Sequence, residues 1–396
     1  MTNLTIRSLE EDDFEALCAI RRFAFLDDTD YDEARNRREL LEYMAHMAGG
    51  FIDEELVVAG AMLPLEMYHG GRSVPVGGLA SVVSAAEHRR RGHVRQLLRP
   101  MLAKLRDDGV GWCLQYPFNL SFYAQFGWQT IVNGLFAEVS ADHFRDGVTV
   151  DGVRRFDPED DDDIAAVDRI YESWARQFNF TMNRSHGVHA PWRHIHMGDP
   201  RRLAEKGQFG FLIDDVAYCD LAIRRDDERK QVARVLDWAY TTSRGRRQLL
   251  RLWGTLSGQL DRFELQFPVD DPLSAELTTH LVASPHPVQL RIVDVVSALT
   301  GIRCTSPVDT TVAVEDSFCD WNQATFRLTS DEGRLQVTET DDAPQVEIGI
   351  DALALVTSGS PVDLRRTGLG RGPEEALASL QSLADRGSYI PICDYF

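Results

Sequence analysis

The run from Leu79 to Asp107 limits the possible folds more than any other part of the chain. Leu79-Ala80-Ser81-Val82-Val83-Ser84 is a short strand-forming stretch, and Arg91 to Asp107 carries helical periodicity. Between them lies Arg89-Arg90-Arg91-Gly92-His93-Val94-Arg95, a turn dense in arginine with one glycine. A strand that passes through such a turn into a helix aims the helix's unpaired N–H groups at the end of the strand, where they attract an anion. Glycine lets the backbone come close to that anion. Such a segment belongs to layered folds in which helices cover a sheet. On pattern alone, the same turn also reads as an exposed basic helix start.

The surrounding sequence keeps alternating. Helices are expected at Leu9–Phe25 and Glu39–Met47, and strands at Phe51–Met62 and Ser73–Ser84. A strand at Gly111–Tyr116, a short helix at Asn119–Phe126 and a strand at Ile131–Val139 follow. The acidic run Asp157–Asp163 suits a helix N-terminus or a linker. A second α/β stretch extends to about Val282, where Ser284-Pro285-His286-Pro287 punctuates the chain. Within it, Arg244-Gly245-Arg246-Arg247-Gln248-Leu249-Leu250 echoes the first arginine turn and suggests two copies of one unit, with chemistry kept in one. The remainder holds strand-like runs at Thr311–Val314, Thr325–Thr329, Leu335–Thr338 and Gln345–Ile350 and a helix near Pro373–Ala384, an α+β pattern. Three domains are expected, at 1–150, 151–286 and 287–396.

Composition narrows the function. The 62 acidic and 42 basic residues leave a net charge of −20, which disfavours nucleic acid and anionic lipid and favours a cationic substrate. Three of the basic residues are lysine and the rest arginine, a bias that a codon effect alone can produce and that, with the acidic surplus, also fits a high-salt habitat. No apolar run of about 18 residues exists, and Met1-Thr2-Asn3-Leu4-Thr5 opens no secretory signal, so a cytoplasmic protein without a membrane partner is expected. Cys18, Cys113, Cys219, Cys304, Cys319 and Cys393 form no C-x-x-C pair, which argues against a disulfide framework or a cysteine zinc site. His186, His189, His194 and His196 lack H-E-x-x-H spacing and Pro191 interrupts them, so no metal is expected. No G-x-x-x-x-G-K-S/T occurs and no G-x-G-x-x-G follows a strand, which excludes a P-loop and a dinucleotide fingerprint.

Two further segments carry possible chemistry. Trp112 to Asn119 leads into Ser121-Phe122-Tyr123-Ala124-Gln125-Phe126-Gly127-Trp128. A phenol such as Tyr123 stays protonated at neutral pH and can protonate a departing thiolate; by itself it also reads as a packing aromatic. The end of the chain, Tyr389-Ile390-Pro391-Ile392-Cys393-Asp394-Tyr395-Phe396, is apolar and aromatic where termini are normally polar. It is expected to dock, either as an anchor or to bring a desolvated terminal carboxylate, raised from its usual pKa near 3.5, to a site as a base.

Arg89-x-x-Gly92-x-Val94 resembles the coenzyme A pyrophosphate loop of the GNAT acetyltransferases, Q/R-x-x-G-x-G/A, with Val94 in place of the last small residue. Phe122-Tyr123-x-x-Phe126-Gly127-Trp128 resembles the GNAT segment whose tyrosine faces the thioester sulfur. Leu290-Arg291-Ile292-Val293-Asp294-Val295 and Pro391-x-Cys393-x-x-Phe396 extend the resemblance to the Eis (enhanced intracellular survival) family of N-acetyltransferases over nearly the whole chain. The resemblance implies tandem GNAT-like domains, each a mixed sheet flanked by helices, the second without coenzyme. A sterol-carrier-protein-2-like α+β domain follows, and the assembly is a homohexamer. It implies acetyl-CoA as cosubstrate and a primary amine on an aminoglycoside, polyamine or lysine side chain as acceptor. Tyr123 is then the general acid and the Phe396 carboxylate the general base. Val82, Val83 and Ser84 face the pantetheine arm, Arg90, Arg91, Gly92, His93, Val94 and Arg95 cradle the phosphates, and Phe118 and Asn119 also touch the coenzyme. Asp27 and Asp28 are expected to recruit the amine. The rival expectation is a non-catalytic protein that binds lipid through its last domain.

Overall fold

The computed structural model of the chain describes residues 4–26, 29–31, 33–157, 160–185, 207–383, 386–391 and 394. The chain opens with β1 (Thr5–Ser8), α1 (Phe14–Phe25), α2 (Ala34–Met44), β2 (Met47–Ile52), β3 (Glu55–His69) and β4 (Arg72–Ser84). Then come α3 (His93–Asp107), β5 (Trp112–Gln115), α4 (Leu120–Ala124) and β6 (Gln129–Ile131). The helix expected from Glu39 begins earlier and gives up Met47, which pairs with Ala61 as the start of β2. Leu97, Leu98, Leu102 and Leu105 recur at helical spacing along α3 and bury that face against Val57, Val58, Leu79 and Cys113 of the sheet.

The stretch Ile131–Val139, expected as one strand, is two strands in two sheets. After β6 the chain turns at Gly134, at φ +117°, where a Cβ would lie 2.9 Å from the Phe267 carbonyl oxygen. Only glycine suits that conformation and that approach. The chain then enters β7 (Leu135–Ser140), which belongs with β8 (Val153–Arg155), β9 (Gln208–Ile213), β10 (Ala217–Arg225), β11 (Gln231–Tyr240), β12 (Arg262–Phe267) and β13 (Val282–Ala283). This second sheet runs β13-β7-β12-β11-β10-β9-β8 and is covered by α5 (Asp161–Ala175) and the helix Ser243–Thr255. Asp160, inside the acidic run, caps α5 by accepting from Asp162 N. From there β14 (Val288–Ile292) returns to the first sheet and inserts between β5 and β6, giving the order β1-β2-β3-β4-β5-β14-β6. Residue 150 therefore lies beyond the point where the chain has changed sheets, and residue 286 just before it changes back.

The last part is a smaller sheet of β15 (Asp309–Glu315), β16 (Thr325–Asp331), β17 (Arg334–Glu339), β18 (Val346–Gly349) and β19 (Gly370–Arg371), in the order β17-β16-β15-β18-β19. The helices Ile350–Ser358 and Glu374–Gln381 pack with it. Leu290 and Ile292 of β14 share one apolar cluster with Val312, Leu353 and Val356, so this part is fused to the first sheet through a common core.

Candidate active site

The site arises from a divergence of strands. β4 and β5 pair in parallel only from Val76/Trp112 to Leu79/Gln115. Beyond that, β4 stays with β3 while the chain after β5 turns away through Tyr116, Pro117 and Phe118. The register between β3 and β4 slips here, with Gly60 facing both Ser81 and Val82, and Ser81 takes φ +49°. This bulge bends β4 away from β5. Tyr43 and Arg21 hold it, with the Tyr43 hydroxyl 3.0 Å and an Arg21 Nη1 3.2 Å from Ser81 Oγ. A cavity of about 410 Å³ opens in the gap, lined by Leu79 to Val82, Gln115 to Phe118, Tyr123 and the loop Pro285-His286-Pro287.

Tyr123 sits on α4, which Asn119 caps by accepting from Phe122 N at 3.0 Å. Its ring is 3% exposed and is held edge-on by Phe118, Phe122 and Trp128 at centroid distances of 5.7, 5.0 and 6.1 Å. The hydroxyl makes no hydrogen bond among the described residues, and burial pushes its pKa above the ordinary phenol value. The group is a neutral phenol, buried beside the cavity. Of the other expected residues, Val82 lines the cavity, Val83 turns its side chain into the core opposite Ala59, and Ser84 pairs with Val58. Phe118 is exposed at the mouth. Cys113 is fully buried in β5, where desolvation raises its thiol pKa and leaves no nucleophile.

The arginine turn joins the end of β4 to the start of α3. Gly92, at φ +81°, is the N-cap of α3, and no side chain caps that helix. Its first amides and positive dipole end are left for an anion. Among the described residues, Arg89, Arg90, Arg91 and Arg95 have no acidic partner, and all four are exposed. His93 is buried beneath them with neither ring nitrogen bonded, and desolvation, His88 and Arg91 push its pKa down. The echo in the second sheet is built differently. Thr242 caps the helix Ser243–Thr255 by accepting from Gly245 N, Arg244 pairs with Asp214, and Arg246 pairs with Asp271 and Glu276. In that turn two of the three arginines are already paired with acids.

The strands of the second sheet also diverge, since β11 and β12 pair in parallel only over Val232–Arg234 and Arg262–Glu264. Here the gap is filled. Tyr389 donates to the Gln266 carbonyl at 3.0 Å, and Gln266 Nε2 donates to the Ile390 carbonyl at 3.1 Å. Asp394 accepts from Arg184 at 2.8 Å and from the Tyr171 hydroxyl at 3.1 Å, while Arg184 also reaches Asp237 on β11 at 2.5 Å. The tail docks as its composition led us to expect. A hydrogen-bonded path continues from Gln266 to the Asn133 carbonyl and from Asn133 Nδ2 to the His286 carbonyl, so the docked tail is linked to the loop that lines the first cavity.

Sequence reading missed Ser81, whose role lies in a positive φ, and Tyr116. It read Ser284–Pro287 as punctuation, although Pro285 to Pro287 wall the cavity. Burial and Arg234 push the His286 pKa down, and its Nε2 stands 3.2 Å from the Arg234 guanidinium. Asp27, Asp28, Phe396, Cys393 and the histidines at 186, 189, 194 and 196 lie outside the described residues. Among the described residues, exposed Glu55 and Glu87 stand with His88 within metal-ligand reach of one another. No helix among them is long and apolar enough to cross a membrane.

Residues 5–131 and 183–292 each match a family model described as an acetyltransferase (GNAT) domain, and residues 295–393 match a sterol carrier protein domain. An uncharacterized N-acetyltransferase of Streptomyces avermitilis is 26% identical over 83% of each chain, and N-acetyltransferase Eis of Mycobacterium tuberculosis is 24% identical over 90% of each. Among solved structures, a GCN5-related N-acetyltransferase from Anabaena variabilis superposes with a TM-score of 0.82 at 18% identity over the full length of both chains. Eis1 from Mycobacterium abscessus superposes with a TM-score of 0.77 at 20% identity over 99% of this chain and 100% of the other. The chain is thus an acetyl-transferring enzyme with two GNAT acetyltransferase domains followed by a sterol-carrier domain, similar along nine tenths of its length to the Eis N-acetyltransferases.

Proposed function

We propose that the protein transfers the acetyl group of acetyl-CoA directly to a primary amine of a cationic acceptor, an aminoglycoside, a polyamine or a lysine side chain. One observation carries this reading: a buried phenol lines the cavity between β4 and β5, and β4 itself runs on into an arginine turn that has no acidic partner among the described residues. The uncapped amides of α3 and the unpaired Arg90, Arg91 and Arg95 fit a pyrophosphate. Val82 to Ser84 lie along the strand edge that β5 abandons and fit an extended pantetheine arm, with backbone near Val83 as the donor to the thioester oxyanion. Phe118 and Asn119 flank the arm.

The Phe396 carboxylate takes a proton from the ammonium, through water. The neutral amine attacks the thioester carbonyl, the C–S bond breaks, Tyr123 protonates the leaving thiolate, and the second proton, shed by the acylated nitrogen, restores the phenol. The docking of Tyr389, Ile390 and Asp394 supports this role of the terminal carboxylate. Ile390 is bonded to Gln266, and six residues of chain reach at most ~20 Å. Asp27 and Asp28 recruit the cation, and the excess of acidic residues favours its approach. We further propose units at 1–150, 151–286 and 287–396, the second without coenzyme, assembled as a cytoplasmic homohexamer without nucleic-acid or membrane partners. The deciding experiment is thiol release from acetyl-CoA against a panel of cationic amines, with particle mass measured on the same sample. No turnover with any amine, or full activity after residues are appended to Phe396, contradicts the reading.

A further inference from the structure

A loop of the sterol-carrier part reaches the coenzyme-binding helix. Residues 316–322, after β15, are fastened to the first sheet by buried bonds. The Arg291 guanidinium of β14 donates to Asp316 at 2.6 Å, and both side chains are sealed from water. Asp316 in turn accepts from the backbone N–H groups of Phe318 and Cys319 and from Asn322 Nδ2. The Trp321 indole donates to the Val293 carbonyl at 2.8 Å. The loop then lies along one flank of α3, where Asp320 pairs with Arg99 at 2.8 Å and Trp321 stands under Arg106.

Its tip is Phe318, 2% exposed, with its ring 4.9 Å from that of Phe126. Arg95, in the first turn of α3, lies over both rings, its guanidinium carbon 5.1 Å from the Phe318 centroid and 5.8 Å from that of Phe126. These distances fall inside the range in which a cation is attracted to a ring face. Arg95 has no acid partner among the described residues, so the rings orient it without neutralising it. An acidic partner would compete with a phosphate for the guanidinium, whereas an aromatic face leaves its N–H edge free to bond one.

We propose that Phe318 is a positioning residue for coenzyme binding. The sterol-carrier part, through a loop locked by Arg291 and Asp316, holds Arg95 extended toward the phosphates of coenzyme A. The inference rests on the assignment of the arginine turn as the phosphate site.

The test is a double-mutant cycle read by calorimetric titration of the full-length protein with coenzyme A, which requires no knowledge of the acceptor. Phe318→Leu keeps apolar volume and removes the ring, and should weaken coenzyme A about two- to fivefold. Arg95→Ala should weaken it more, and in that background Phe318→Leu should add nothing. Phe318→Tyr keeps the ring face and should bind like the parent, which keeps the test decisive if the leucine variant folds poorly. A merely structural Phe318 would weaken binding equally in both backgrounds, and that additivity, or an unchanged affinity in Phe318→Leu, overturns the inference. If Arg95→Ala alone leaves the affinity unchanged, it is the assignment of Arg95 to the phosphate site that has failed, and the inference fails with it.

Discussion

Tyr123→Phe isolates one oxygen atom. The ring that Phe118, Phe122 and Trp128 grip is retained, so the aromatic cluster is undisturbed. The lost hydroxyl has no hydrogen bond to lose among the described residues, and deleting an unpartnered polar group from a desolvated place is close to neutral for folding, within about 0.5 kcal/mol. The effect should fall on the chemical step. A positioned general acid contributes about 10²- to 10⁴-fold, or about 3–5 kcal/mol of barrier. Burial raises the phenol's pKa in the folded protein above its value in the unfolded chain, so the neutral form is favoured. Its contribution to stability is therefore complete below about pH 10 and declines only as the pH climbs further, toward the folded value. The parent's turnover should accordingly show no loss of the acid below about pH 10. The assay is steady-state thiol release at saturating acetyl-CoA, alongside coenzyme A affinity by calorimetry and a melting curve. The expected variant binds coenzyme A normally, melts normally and turns over at least about a hundredfold more slowly. Turnover within about threefold of the parent would remove Tyr123 as the acid.

Three other outcomes follow from the same coordinates. Arg184→Met leaves Asp237 and Asp394 buried without their cation and should cost about 3–5 kcal/mol in urea unfolding; a loss below about 1 kcal/mol would mean that the tail is not fastened there. Gly92→Ala forces a side chain into φ +81° and should weaken coenzyme A binding while costing about 1 kcal/mol of stability, the pairing of effects expected only if the turn is both strained and in use. Asp220 is buried opposite Asp237, and burial, then that neighbour, lift its pKa to about 8. The folded state therefore holds this proton more tightly than the unfolded chain, and stability is lost as pH rises from the unfolded pKa through the folded one. Asp220→Asn should raise the melting temperature more at about pH 8.5 than at about pH 5, and an equal gain at both would contradict the linkage.

Much of the site was legible because it is local. Leu79 to Arg95 contains the strand, the glycine and the helix start in one stretch, and Phe122 to Trp128 contains the phenol and its aromatic support. What escaped is non-local or conformational. Nothing in the letters around Ser81 announces a bulge with a serine at φ +49°. Pro285 to Pro287 read as a boundary because two prolines flank a histidine, but the boundary is where the chain returns to insert β14 beside β5 and so walls the cavity. The split of Ile131–Val139 between two sheets hid behind a continuous β-prone run, and only Gly134 marks it. Phe318 lies far from the arginine turn in sequence, and its contact with Arg95 exists only because Arg291 and Asp316 fix the intervening loop.

The two halves of the protein differ less in backbone than in what fills the gap between their parted strands. Each has a parallel pair that separates after a few residues, followed or preceded by a helix with an arginine-bearing start. In the first half the arginines face solvent without acids among the described residues and no side chain among them caps the helix, so charge and amides remain to be satisfied. In the second, Asp214, Asp271 and Glu276 have taken Arg244 and Arg246, and Thr242 has taken the helix end. Its gap holds Tyr389 and Ile390, bonded to Gln266, with Asp394 tied to Arg184. An anion entering there would have to displace a well-packed tail and break several ion pairs, whereas the first gap asks only for water to leave. The same occupied gap links the docked residues, through Gln266 and Asn133, to the His286 loop that walls the first cavity.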